Sequence, residues 1–325
     1  MVGGGQNPVF GLVVAKPMLR LCKATFSDRL WAINVSFWFM PATFIQIVEL
    51  FIKDLQTKGK SPYTTIAYKK DLEQFFEYVS LRGITSFAKI TSEVIESFVT
   101  ELVTVKEYTK KSASRKLNSI RTLFRFLKAQ GVIPSNPASE ISHPKFQPAA
   151  PRILTKLEYR GLRDVAKKDP RVFALVELLL QTGMKIGELA QLKIDDIKQK
   201  HLYIPKTGNI PEREIPLNKP SEAALKSYLS VRPNFSDSHV FITRTGKPML
   251  IRNIRQVIDR CFAEVGIQAA TVNDLRNTFI AHQLTTGVSL EYIARIVGHR
   301  RLSSTERFLH LIKQDVDKRE VLGEL

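Results

Sequence analysis

Cysteine is nearly absent from this sequence, with two among 325 residues, Cys22 and Cys261. They stand far apart and fit neither a disulfide framework nor a metal-ligand spacing, so a reducing, cytoplasmic setting is expected. No uninterrupted apolar run approaches the roughly 20 residues a membrane span needs, and no membrane partner is expected. Acidic residues are also in short supply: 31 Asp and Glu face 49 Lys and Arg, a net charge of +18. A surplus of that size favours a polyanionic partner, of which nucleic acid is the commonest; the plainer alternative is charge that only keeps the protein soluble. What is present otherwise is ordinary. Hydrophobic residues make up 44% and charged ones 25%, and the length suffices for two domains with separate cores.

The first forty residues carry four basic side chains (Lys16, Arg20, Lys23, Arg29) and one acid, Asp28, after an opening Gly3-Gly4-Gly5. Their apolar pieces are short and interrupted, which argues against a signal peptide and leaves a transit peptide as an alternative. The more economical reading makes Met40 the natural first residue. Residues 1–39 are therefore kept apart as an extension.

Helical spacing becomes clean from Thr43. Phe44, Val48, Phe51, Ile52 and Leu55 recur on one face before Gly59. Ser61-Pro62 reads as an N-cap with proline in the first turn. Tyr68, Leu72, Phe75, Phe76 and Val79 mark a second helix, Thr91 or Ser92 opens a third, and 111–129 forms a fourth. Residues 40–133 are thus predicted to make a compact four-helix domain. In the fourth helix Leu117, Ile120, Phe124 and Leu127 line one side, and Lys111, Arg115, Asn118, Thr122 and Arg125 the other. Cations and amides on one face suit a helix laid against duplex DNA, cations on phosphates and amides near base edges. An ordinary solvated face has the same appearance.

Pro134, Pro137, Pro144, Pro148 and Pro151 then predict a linker over 134–154, either a plain spacer or a hinge that lets two domains close on a duplex as a clamp. Residues 155–325 mix helix and strand. Thr155 opens a helix, 172–180 reads as a buried one, and 201–205 and 212–217 read as two strands joined by a Lys-Thr-Gly-Asn turn. Further helices are predicted from about Ser221 and Arg252. The fold class expected is mainly α with a small antiparallel sheet (α+β).

Five landmarks in this half follow a familiar order. Thr182-Gly183-Met184-Lys185 with Glu188-Leu189, Lys206 at a strand end, Asn273-Asp274-Leu275-Arg276, Val297-Gly298-His299 and finally Phe308 resemble the boxes of the tyrosine recombinase (phage integrase, Xer-like) family. The family's usual forms are Thr-Gly-Leu-Arg, a hairpin lysine, His-x-Leu-Arg, Leu-Gly-His and a tyrosine. The helical first half resembles the family's core-binding domain, so the likeness runs from about residue 42 to 315.

The resemblance implies a chemistry. A tyrosine oxygen attacks phosphorus, a DNA hydroxyl leaves, and the protein stays linked to a 3′ phosphate. Two arginines hold the charge on the equatorial oxygens, because a planar fork bridges two of them. A lysine protonates the departing 5′ oxygen, and histidines handle protons and hold the phosphate. Arg276, His299 and Lys206 stand at matching positions here. Lys185 replaces the first arginine and keeps charge without the fork. Asn273 replaces a histidine and can bond but not take a proton. Phe308 replaces the nucleophile and has no oxygen. Tyr292 is the last tyrosine in the chain; Ser304 and Thr305 offer only short hydroxyls, and His310 points elsewhere.

Two function classes follow from the resemblance. One is a DNA-binding protein of recombination and integration, a pseudoenzyme unable to cut strands itself. The other is an active recombinase with an unusual or partner-supplied nucleophile. The implied partners are double-stranded DNA and, through a tail at 311–325, a second copy or an active relative. Neither metal nor nucleotide cofactor is implied.

Overall fold

The protein, described by a computed structural model over residues 42–147, 149–208 and 210–311, divides into two units between Phe146 and Gln147. The N-terminal extension, Cys22, Asn209 of the expected turn and the tail beyond Leu311 lie outside the described residues.

The first unit is four helices: α1 (Ala42–Thr57), α2 (Pro62–Ser80), α3 (Ser92–Thr104) and α4 (Lys110–Ala129). Their starts follow from local chemistry. Ser61 Oγ accepts from the Thr64 amide at 3.2 Å and Pro62 fills the first turn, as the sequence predicts. Thr109 caps α4 in the same way, accepting from the Ser112 amide at 3.2 Å. The apolar stripes meet in an aromatic centre of Phe44, Phe51, Phe75, Phe76, Phe98 and Phe124, all fully buried. Phe44 stacks on Phe76 with centroids 4.5 Å apart, and Phe75 meets Phe98 edge-on at 5.2 Å. Such pairs each add about 0.5–1.5 kcal/mol beyond the area they bury.

The proline-bearing segment begins inside this unit. Ile133, Ala138 and Ile141 are buried with the helical core. Arg121 on α4 donates from Nε to the Ala138 carbonyl at 3.0 Å and from Nη2 to the Ile141 carbonyl. Its far end belongs to the second unit, where Leu154 is buried and its amide donates to Thr278 Oγ1 at 2.9 Å.

The second unit is mainly helical with one antiparallel sheet, as expected. Helices α5 (Lys156–Ala166), α6 (Pro170–Thr182) and α7 (Ile186–Gln191) lead into β1 (Ile197–Lys198), β2 (His201–Ile204) and β3 (Arg213–Pro216). Helices α8 (Lys219–Val231), α9 (Ile251–Val265), α10 (Val272–Thr285), α11 (Leu290–Val297) and the short α12 (Ser303–Glu306) follow. The sheet order is β1-β2-β3, with Leu202 opposite Ile215 and Ile204 opposite Arg213. Leu202, Ile204 and Ile215 point into the core. The first strand is a correction to the two-strand reading; two residues are too few to show alternation. Helix α6 lies at the centre, buried on nearly every side, and its one internal acid, Glu177, pairs with Arg163 and accepts from Gln181 at 3.2 Å. Among the described residues no helix is long and apolar enough to cross a membrane.

Candidate functional site

The site is assembled where three helix ends meet. Helix α6 stops at Gly183, which is left-handed at φ +61°. A Cβ there would lie 2.3 Å from Phe279 Cδ1, so only glycine allows α10 so close. That approach brings Arg276 of α10 to the end of α6. Its Nη1 donates to the Gly183 carbonyl, and its Nη2 donates to the Val297 carbonyl, the last of α11, at 2.7 Å. Two of its five N–H groups thus satisfy orphan carbonyls at helix ends. Burial is the main force pushing the Arg276 pKa down, to about 10, with Arg213 and Arg307 acting in the same direction and Glu188 against; the group stays cationic at neutral pH.

His299 follows Gly298, the left-handed residue that ends α11 at φ +69°. Its Nδ1 shares a 2.7 Å hydrogen bond with the hydroxyl of the fully buried Thr305. Burial first, then Arg276, Arg307, Lys185 and Arg213, push its pKa down to about 4. The imidazole is therefore neutral at pH 7 and can both accept and donate.

Lys185 sits at the start of α7. Its amide donates to the Glu188 carboxylate at 2.8 Å, and its Nζ stands 3.9 Å from the same group. Partial burial, the largest influence, lowers its pKa; Glu188 opposes the shift, while Arg276 and Arg213 add to it. Glu188 also accepts from Arg213 Nη2 at 2.8 Å, and Arg213 Nε donates to the Ile296 carbonyl at 2.6 Å. Both of those side chains are buried. One carboxylate and one arginine therefore tie the first box to the turn that carries His299.

A cavity of about 500 Å³ opens beside Arg276, lined among others by Arg152, Asn273, Asp274, Arg276, Asn277 and Arg307. Asn273 is exposed in the first turn of α10. The Asp274 carboxylate is occupied with capping, accepting from the Thr271 amide at 2.8 Å and its hydroxyl at 2.9 Å. The cavity is thus a cationic recess with amide donors at its rim, suited to an anion.

The other sequence-derived residues fall in different places. Phe308 is fully buried and belongs to the second core. Lys206 stands exposed just past β2 and makes no hydrogen bond or ion pair with the cluster among the described residues. Tyr292 lines a separate groove with Gln181, Leu217 and Ile296. On α4, Lys111, Arg115, Asn118 and Arg125 are exposed, and the Thr122 hydroxyl donates to the Asn118 carbonyl at 2.7 Å. Arg115 is not a free cation. Its two Nη groups bind the carboxylate of buried Asp71, the second at 2.9 Å, and Asp71 also takes Lys116 at 3.0 Å and Ser119 at 2.8 Å.

Arg213, Glu188, Arg307 and Asp71 are the residues that the sequence reading passed over. A signal existed for Arg213: with Ile215 facing inward, the period of two turns Arg213 inward as well. Glu188 stood inside a quoted box but was given no role. Nothing local marks Asp71 or Arg307.

Comparison with known proteins adds an independent line. The sequence pattern of the "Phage integrase family" matches residues 150–315, and that of the "Phage integrase, N-terminal SAM-like domain" matches 48–131. The tyrosine recombinase XerC of Thermodesulfovibrio yellowstonii is 30% identical over 268 residues, covering 78% of this chain and 87% of that protein. The XerC of Oceanobacillus iheyensis is 28% identical over 281 residues, covering 82% and 92%. Among solved structures, a lambda integrase dimer bound to a COC′ core site is similar at a TM-score of 0.67 and 19% identity, covering 80% of this chain and 96% of that one. The Tn1549 transposon integrase in complex with circular intermediate DNA is similar at 0.65 and 17%, covering 81% and 94%.

Proposed function

This chain is a member of the phage integrase family, the tyrosine recombinases, and we propose that it binds duplex DNA at recombination sites without cutting a strand itself. The observation that carries this reading is Phe308. It occupies the place where the family has its nucleophilic tyrosine, and its ring is wholly enclosed in the core. Phenylalanine has no oxygen for attack on phosphorus, and no adjustment of neighbouring groups supplies one. Beside it are the groups we assign to holding an anion: Arg276 fixed between two helix ends, a neutral His299, and Lys185 next to Glu188. A site that grips phosphate but lacks a nucleophile fits occupation, bridging or regulation of sites that an active relative cuts.

The surplus of basic residues supports the same reading. Lys111, Asn118 and Arg125 on the exposed face of α4 are the groups we assign to groove and phosphate contact in the first unit. Lys206, exposed beyond β2, is a further cation that a bound duplex would recruit. Three arginines line the recess (Arg152, Arg276, Arg307) against one carboxylate, Asp274, and the adjoining Lys185 and Arg213 share a second, Glu188, which leaves a charge that a phosphodiester offsets.

A nicked duplex that traps covalent intermediates tests the reading. The expected result is salt-sensitive binding, with log affinity falling by about 0.9 per phosphate neutralised for each unit of log salt, and no protein linked to DNA. A protein-linked 3′ phosphate in a preparation free of other recombinases would instead establish the alternative, an active enzyme with an unusual nucleophile. If the adduct forms only when an active relative is added, the nucleophile comes from that partner.

A further inference from the structure

We propose that Arg307 is a phosphate ligand of this site, supplying the forked guanidinium that Lys185 lacks. The inference rests on the DNA-binding reading above and adds a residue and a chemical role to it. Arg307 lines the same cavity as Arg276 and Asn273 and is exposed to solvent there. Its guanidinium carbon lies 5.1 Å from the centroid of the Phe308 ring, so the enclosed phenyl forms a floor that holds the fork at the recess. The ion pairs of the described residues that involve this cluster go elsewhere: Glu188 takes Arg213 at 2.8 Å and Lys185 at 3.9 Å.

The division of labour among the cations then becomes clear. Arg276 is deep, and its two Nη groups each give one hydrogen to a backbone carbonyl, which fixes the fork but leaves fewer hydrogens for a ligand. Lys185 is a point charge partly held by Glu188, and an ammonium cannot span two oxygens of one phosphate. Arg307 has the planar donor pair at the rim. With Arg276 it can take two equatorial oxygens from two sides, the task for which the family's pattern provides an arginine at position 185. Its charge also reaches the interior of the site, since it contributes to the lowered basicity of both Arg276 and His299.

The test uses the full chain and a mixed-sequence duplex longer than the protein's footprint, titrated across salt concentrations. R307Q should weaken binding several-fold and lower the slope of log affinity against log salt by about 0.9. R307K should keep the slope and still lose affinity, because charge remains and the fork does not. Adding K185R to R307Q should restore most of the loss, while K185R alone changes little. Folding is checked by thermal melting; R307K retains the charge and the stem over Phe308 should R307Q fail to fold. R307Q or R307K binding as tightly as the parent, with the parent's salt slope intact, overturns the assignment of Arg307 alone. A K185R rescue that fails overturns the exchange of roles. A parent protein with no salt-dependent DNA binding overturns the underlying function instead, and the two failures are distinct.

Discussion

The guanidinium of Arg213 lies directly under Gly298: a Cβ at that glycine would stand 3.0 Å from Arg213 Cζ. Gly298 is left-handed at φ +69°, which favours glycine, and a Cβ there would also press on the guanidinium beneath it. The Gly-His turn is therefore built around a buried arginine, which in turn is held by Glu188 and the Ile296 carbonyl.

Removing Arg213 should cost more than removing the pair. R213A leaves the buried Glu188 with the Lys185 amide and an ammonium 3.9 Å away as its partners, and losses of about 3–5 kcal/mol are usual for half of a buried ion pair. R213A combined with E188A should unfold at a higher denaturant concentration than R213A alone, a non-additivity expected of groups in contact. Equilibrium urea unfolding of the two single variants and the double variant measures it. Strict additivity would mean that the pair is not coupled.

On α4 the exposed cations should separate into two kinds. K111A and R125A are expected to weaken DNA binding and lower its salt slope with little effect on stability, since surface substitutions usually stay within about 0.5 kcal/mol. R115A should do the opposite. It strips the forked partner from Asp71, whose side chain is almost wholly buried, so the melting temperature should drop while the salt slope changes least. Equal salt slopes for R115A and R125A would show that Arg115 reaches phosphate despite its carboxylate.

These contrasts mark what the sequence could and could not show. The helices of the first unit were legible because each buries one stripe at regular spacing, and the second also opens on a hydroxyl cap followed by proline, at Ser61. The glycine and arginine positions of the site were legible because the boxes are local in sequence. Ion pairs such as Asp71 with Arg115 and Glu188 with Arg213 join residues on different elements, and no local pattern encodes them. Prolines exclude helix over 134–154, yet Ala138 and Ile141 pack against the core there without needing one.

His299 should titrate well below the usual imidazole range in the free protein. Its folded pKa of about 4 lies under the ordinary 6.5, so between those values the unfolded chain binds more protons than the folded one. Stability from this group is therefore full above about pH 6.5 and is lost as pH falls toward 4. Replacement by glutamine should flatten that part of the stability profile. A bound phosphate offsets Arg276 and Arg307, so DNA should raise the His299 midpoint. NMR titration of the ring protons with and without duplex follows both states; a midpoint near 6.5 in the free protein would contradict the buried, cation-flanked environment.

Restoring the hydroxyl at 308 should not by itself restore the family's chemistry. The Phe308 ring is fully enclosed, and a phenol in its place either buries an oxygen at a cost of about 1–3 kcal/mol or swings out of the core. F308Y is therefore expected to melt earlier than the parent. Were the phenol to reach phosphorus, it would meet a point charge at Lys185 and, at Asn273, a side chain that cannot exchange a proton. Loss of one preorganised donor typically costs about 10²–10³ in rate. F308Y should accordingly give few or no covalent adducts on a nicked duplex, and F308Y with K185R and N273H should give many more. If the single variant matched the triple, Lys185 and Asn273 would be adequate as they stand, and the missing phenolic oxygen would be the whole of the difference between this protein and a cutting recombinase.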